Sequence, residues 1–390
     1  MSAFRRVWRA FWDRMDWLLL LPCIGLSLLS LCLLLGIYRT RYIPQPKLNM
    51  RSIMIQGIAT GLGAVFAVIL ANINYRALAD KWKIYVPAAY LFMLSTFVFG
   101  VGTSVSPEDK RWLIIPGINM SVQPSEFLKL AFILSFAYHV YKTQDRFNHP
   151  LHIFLLCLHA LIPVALVQIQ GDSGTALMFL LIFLSMMFVA GIKWIYIAVA
   201  LVAVPAILPV VWAFLLSDAQ RNRFLALLGQ SASDAAYYQQ YQAALAVASG
   251  KLTGAGLFSP SIVYVPEMHN DFIFAFVANA TGFLGCAAVF LVIALIGGKM
   301  LLNTGYANDK QGQLICAGVF AMFFGQSVIN ICMCLSLLPV IGNSLPFLSS
   351  GGSFVLTNYM GIGLVMSVYK HTKRKPKVES FLPKGEQPVI

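Results

Sequence analysis

The stretch PEMHNDFIFAFVANATGFLGCAAVFLVIALIGG, residues 266–298, sets two carboxylates and a histidine against an apolar run that continues to Lys299. An ionised side chain inside hydrocarbon costs roughly 2.5–3.5 kcal/mol on insertion scales, and a bilayer-spanning helix needs about 17–25 apolar residues. The stretch therefore reads as a membrane helix with acids held at its edge. Nine further runs of spanning length lie near 17–38, 53–72, 85–103, 124–141, 150–168, 175–192, 194–216, 311–337 and 351–369. Only 11% of the 390 residues are charged and 59% are hydrophobic, against about 25% charged in a soluble domain. The expected fold is all-α, a polytopic membrane bundle of about ten transmembrane helices.

An even helix count places both termini on one side, and lysine and arginine choose which. The side bearing the termini carries 18 basic residues, the other side nine, and Lys129 lies within a helix. Both ends are expected in the cytoplasm. The net charge of +13 collects at helix ends rather than along a soluble face, so membrane topology, not nucleic acid, accounts for it. All seven cysteines fall within apolar runs, without metal-type spacing, and behave as small hydrophobes. The first run is too long for a signal-peptide core and is expected to remain. Residues 1–369 read as one integral-membrane domain and 370–390 as a disordered cytoplasmic tail. The long outer loop, 217–270, reads as functional. Its Ala-, Gln- and Tyr-rich part suggests a surface helix, followed by glycine-rich turns.

The outward-facing acids suggest chemistry at that mouth. In KRWLIIPGINMSVQPSEFLKL, residues 110–130, Pro124 suits a first helical turn, Glu126 suits the positive end of that helix, and Lys129 shares its face. Lys129 either pairs with Glu126 or also meets a substrate phosphate. Arg111 and Trp112 are either interfacial anchors or contacts to a phosphate and a sugar. In QGDSGTA, residues 170–176, Asp172 either caps a helix or binds a sugar hydroxyl or a divalent cation. In LPFLSSGGS, residues 345–353, broken backbone at membrane depth must be buried or line a wet cavity. Its amides, around Ser349 and Gly351, suit an anion. No Walker lysine is present, so nucleotide binding is not expected; no organic cofactor is expected either. In the opening stretch, a helix starting at Pro266 would put Glu267 and Asp271 on one face. Asp271, with no basic residue following before Lys299, is the candidate general base.

Taken in order, Arg111-Trp112, QPSEFLK, QGDSGTA, SGKLTGAGL, PEMHNDFIFA and LPFLSSGGS resemble the SEDS family (shape, elongation, division and sporulation), typified by RodA and FtsW. The resemblance covers residues from about 110 to 360, and the amino-terminal MDWLLLLP leans toward the RodA type. It implies a peptidoglycan glycosyltransferase that polymerises lipid II outside the cytoplasmic membrane, with inversion, releasing undecaprenyl diphosphate. It further implies a class B penicillin-binding protein as partner and a divalent cation, Mg or Mn, near Asp172 and Asp271. Asp271 falls on the family's essential aspartate; Trp112, Glu126, Lys129 and Asp172 fall on motif positions. The departures are QGDSGTA for QPDLGTA, Asn279-Ala280 for paired glutamates, and Ser350 for a tyrosine. A flippase for lipid-linked precursor is the alternative, but ionisable groups gather at the outer mouth instead of running through the bilayer. A catalytically idle scaffold sits poorly with retention of Asp271, Glu126 and Lys129.

Overall fold

The structure, a computed structural model, describes residues 15–40, 48–102, 110–115, 120–227 and 234–372. The amino-terminal arginines through Arg14 and the tail from residue 373 lie outside the described residues. Helices α1 (Trp17–Arg39), α2 (Met50–Asn72), short α3 (Tyr75–Asp80) and α4 (Trp82–Phe99) precede a hairpin of β1 (Leu113–Ile115) and β2 (Met120–Val122). Then come α5 (Pro124–Lys142), α6 (Pro150–Ile169), α7 (Ser173–Ala190) and α8 (Trp194–Val210). Between α8 and the next long helix lie α9 (Asp218–Leu227) and α10 (Asp234–Ser249), a helix where the Ala-, Gln- and Tyr-rich stretch suggests one, before α11 (Ile273–Tyr306), α12 (Lys310–Cys334) and α13 (Gly352–His371).

Among the described residues nine helices are long and apolar enough to cross a membrane. The tenth expected span, α5, has 19 residues but carries Glu126, Lys129 and Lys142, which keep it out of that group. The chain is a multi-pass membrane protein. One element departs from all-α: β1 and β2 pair antiparallel, Leu113 opposite Val122 and Ile115 opposite Met120. Ile114, Ile115 and Val122 are β-branched and suit a pleated surface.

Packing depends on small residues. α13 lies along α2, where a Cβ on Gly363 would stand 2.7 Å from Ala67 O and one on Gly63 would stand 2.6 Å from the Tyr359 ring. Close backbone approach of this kind is how helices associate in a solvent as apolar as their own side chains. Helices α12 and α13 form the buried centre, whereas no residue of α8 is buried.

The last long apolar run before α12 is not one straight helix. Gly282 (φ 67°, ψ −165°) breaks α11 into a half-helix, residues 273–281, and a long second part. That backbone conformation is essentially confined to glycine. The turns after α10 fill the break. Ala255 and Gly256 N–H donate to Asn279 and Ala280 carbonyls, both at 2.9 Å, while Phe283 and Leu284 N–H donate to Lys251 O (2.9 Å) and Leu252 O (3.2 Å). Broken backbone among membrane helices is tolerated when protein satisfies it in this way.

Candidate active site

Asp271 lies outside any helix. The expectation that Pro266 starts one, with Glu267 and Asp271 on a shared face, is corrected: residues 266–272 form turns, Glu267 has φ 56°, and Phe272 caps α11. The cause lies in the carbonyls. His269 O accepts from Ser350 N at 2.9 Å, Asn270 O from the Ser349 hydroxyl at 2.7 Å, and Asp271 O from Asn330 Nδ2 at 2.7 Å. Each is drawn to another segment and away from the helical ladder. The loop 344–352 and α12 thus hold the Asp271 turn by its backbone, leaving the side chain to the cavity. Gln56 on α2 braces the same loop, donating to Ser349 O at 3.1 Å and accepting from Gly351 N at 3.0 Å.

A cavity of about 530 Å³ opens here, with Arg111, Trp112, Glu126, Asp172, Glu267 and Asp271 on its wall. Gly351 also reaches it. The acids differ in what they touch. Asp172 caps α7, accepting from Thr175 N (3.1 Å) and Oγ1 (2.9 Å), accepts from Gln123 Nε2 at 2.8 Å, and pairs with Arg111 at 3.7 Å. Glu126 pairs with Lys129 at 2.7 Å. Among the described residues Asp271 has no ion pair; its hydrogen bond comes from the Ser344 hydroxyl at 3.3 Å. Burial, then the Glu267 charge, push its carboxyl up to about 6, while Ser344 and Arg223 pull the other way and Asp172 adds to the rise.

Two expected contact residues do not reach the wall. Lys129 is fully buried, its ammonium held by Glu126 and by the Gln326 amide oxygen at 2.7 Å, with that amide's nitrogen on Met322 O. Ser349, also fully buried, spends its hydroxyl on Asn270 O and Leu345 N. Both act from behind the wall.

The order of motifs along this geometry has a counterpart in known proteins. The family model FTSW_RODA_SPOVE, described as "Cell cycle protein", matches residues 14–374. The chain belongs to this family. As an FtsW/RodA/SpoVE member it is 31% identical over 377 residues to peptidoglycan glycosyltransferase MrdB of Escherichia coli (strain K12), covering 95% of this chain and 98% of that protein. To the probable peptidoglycan glycosyltransferase FtsW of Geobacter sulfurreducens (strain DL-1 / KN400) it is 32% identical, covering 82% and 86%. Its fold is like that of a chain from a peptidoglycan synthase complex that coordinates polymerization and crosslinking (TM-score 0.77, 24% identity, 92% of this chain and 99% of that one). The rod shape determining protein RodA of Thermus thermophilus is similar at TM-score 0.67 and 22% identity, covering 93% and 98%.

Several residues of this family member's site escape a reading of motifs. Arg223, on α9, lines the cavity together with the motif residues. Gln56, Gln326 and Asn330 come from the middle of apolar helices and are almost fully buried. A lone amide in an apolar run signals that a partner is required; which partner depends on the fold.

Proposed function

We propose that the chain is a peptidoglycan glycosyltransferase that polymerises lipid II at the outer face of the bacterial cytoplasmic membrane, with both termini in the cytoplasm. Asp271 carries the reading. Its carboxylate, in no ion pair among the described residues and raised to about 6, is a stronger base than an ordinary aspartate and is still mostly ionised near neutrality. It takes the proton from the acceptor sugar hydroxyl. The freed oxygen bonds the donor's anomeric carbon, the carbon–oxygen bond to the diphosphate breaks, and that electron pair leaves with undecaprenyl diphosphate. One displacement inverts the centre, so no covalent nucleophile is required.

Arg111 and Arg223 supply the fixed positive charge that the departing diphosphate needs. Both also line a second cavity of about 530 Å³, whose other walls include Leu177, Pro205, Leu208, Trp212 and Phe224. An apolar space meeting a polar one at two arginines suits a substrate with a lipid chain and a diphosphate. Trp112 offers the sugars a stacking surface, and Glu126, held by Lys129 at 2.7 Å, keeps the wall beside it in shape. Lys129, Asp172 and Ser349 hold that wall in shape, and Gly351 edges it.

A divalent cation, Mg or Mn, fits this donor set only in part. Among the described residues no three potential ligands gather, and both Asp172 oxygens already accept hydrogen bonds. Mg²⁺ commonly takes one or two carboxylates plus substrate phosphates, a role open to Asp271 and Glu267. Held there, such an ion would supply charge compensation to the diphosphate. A class B penicillin-binding protein that crosslinks the product is the partner this reading calls for.

The test is purified protein in lipid vesicles with labelled lipid II and Mg²⁺, comparing wild type with Asp271→Ala. Polymer is expected from the wild type alone. Equal polymer from both removes Asp271 as the base; lipid II crossing the bilayer without polymer from either replaces the polymerase with a flippase.

A further inference from the structure

Asp271 stands midway along the chain between Val263 and Asn279, and those two residues are bonded to each other. Val263 N donates to Asn279 Oδ1 at 3.0 Å. Val263 belongs to the segment that enters the Asp271 turn, and Asn279 to the half-helix that leaves it. One side-chain amide thus closes a loop with the carboxylate at its far end. The other face of that amide is also occupied, since Nδ2 donates to Ala246 O at 3.2 Å and to Ser249 Oγ at 2.5 Å, both at the end of α10. Asn279 is 1% exposed and does not line the cavity, so substrate contact does not explain this bonding.

The surroundings leave little slack. A Cβ at Gly250 would collide with Ala278 O, and one at Gly254 with the Ala280 backbone. The half-helix is therefore pressed against the α10 end at backbone distance. Its other fixed point is the set of carbonyls held by Ser350, Ser349 and Asn330. Between the two, the Asp271 turn has no free end.

Taking Asp271 as the base, we propose that Asn279 is a positioning residue for it: the amide ties the entering segment, the leaving half-helix and α10 into one unit that sets where the carboxylate stands. The chemistry requires an amide. A single planar head must accept from Val263 and donate toward α10, which aspartate cannot do once ionised and alanine cannot do at all.

A displacement of about 1 Å of a catalytic group costs about 10²-fold in rate. In the full chain reconstituted in vesicles with labelled lipid II, Asn279→Ala and Asn279→Asp are expected to lower kcat about 10- to 100-fold, with KM within about twofold because no substrate contact is removed. Amide hydrogen exchange of residues 262–272 is expected to quicken while that of α2 and α13 stays as in wild type. Unchanged kcat overturns the proposal, as does a kcat that falls only in proportion to folded protein. If neither Asn279 variant accumulates, Ser249→Ala carries the test: it removes one of the three bonds, and a fall of about two- to tenfold in kcat at constant KM is expected, no fall being the overturning result. Asp271→Ala is run alongside. Wild-type activity there removes the base and this proposal together; an inactive Asp271→Ala beside a fully active Asn279→Ala removes the positioning role alone.

Discussion

Glu126 and Asp271 face the same cavity and have opposite surroundings. Glu126 opens α5, and the same helix supplies Lys129 one turn on, at 2.7 Å. Asp271 precedes an apolar run with no basic residue before Lys299, and what acts on it is a hydroxyl, the charges of Glu267 and Asp172, and that of Arg223. A buried carboxylate with its own cation is spent on holding structure. One that lacks a cation stays a weaker acid with a proton affinity to use. The contrast assigns stability to the first and chemistry to the second, and it can be broken by exchanging their phenotypes.

The largest effect is expected at the base. Asp271→Asn keeps the shape and removes the proton acceptor, and lipid II polymerisation should fall by about 10²- to 10⁴-fold, with the thermal midpoint in detergent close to wild type. Lys129→Met should do the reverse. Removing one partner of a buried pair costs roughly 3–5 kcal/mol, so the thermal midpoint falls steeply. The double variant Glu126→Gln/Lys129→Met, which leaves no buried charge behind, should recover most of that loss. A Lys129→Met protein as stable as wild type but inactive would give the lysine a place in the chemistry and erase the contrast.

How far this division is legible in the sequence depends on the kind of signal. The helices are legible because each apolar run is long and continuous; even α5, with its charges, has Pro124 and Glu126 where a helix start wants them. Asp271 stands out for the same reason, as a charge that hydrocarbon would penalise. Two other features stay hidden. Gly282 sits in an apolar run where glycine is ordinary, and only the fold shows that it has φ 67° and that the turns after α10 enter the break. Arg223 looks like one more surface charge in QRNRFLAL, because nothing local says that α9 turns it inward. The Asn279-Ala280 departure reads as a lost carboxylate, yet in the fold the asparagine bonds its own half-helix to two other segments at once. Local patterns carry helices and caps; a tie across many residues becomes visible only when its ends meet.

A smaller effect tests the scaffold under both acids. Gly363→Ala places a methyl 2.7 Å from Ala67 O, against backbone that cannot swing aside, and overpacking of this kind costs roughly 1–3 kcal/mol. The thermal midpoint should drop while kcat per folded molecule holds, since Gly363 and Ala67 lie about three helical turns from Gly351 and Gln56, where α2 braces the loop that holds the Asp271 turn. A kcat that fell with it would couple the seam to the site.

The smallest effect reads the surroundings of Asp271 directly. A general base works when ionised, so the polymerisation rate should be low in acid, rise through about pH 6 as the carboxyl loses its proton, and level off above. The neighbours set the direction of any change. Glu267, when ionised, makes a second negative charge nearby unfavourable and so raises the Asp271 value. Glu267→Gln should therefore move the rising limb to lower pH. Arg223 favours the ionised form, so Arg223→Gln should move the limb to higher pH, in addition to any loss of diphosphate binding seen in KM. Measured at fixed Mg²⁺ and saturating lipid II, the two variants should bracket the wild type. If both limbs shift the same way, or neither shifts, the group titrating near pH 6 is not the carboxylate between Glu267 and Arg223, and Asp271 loses the environment that sets it apart from Glu126.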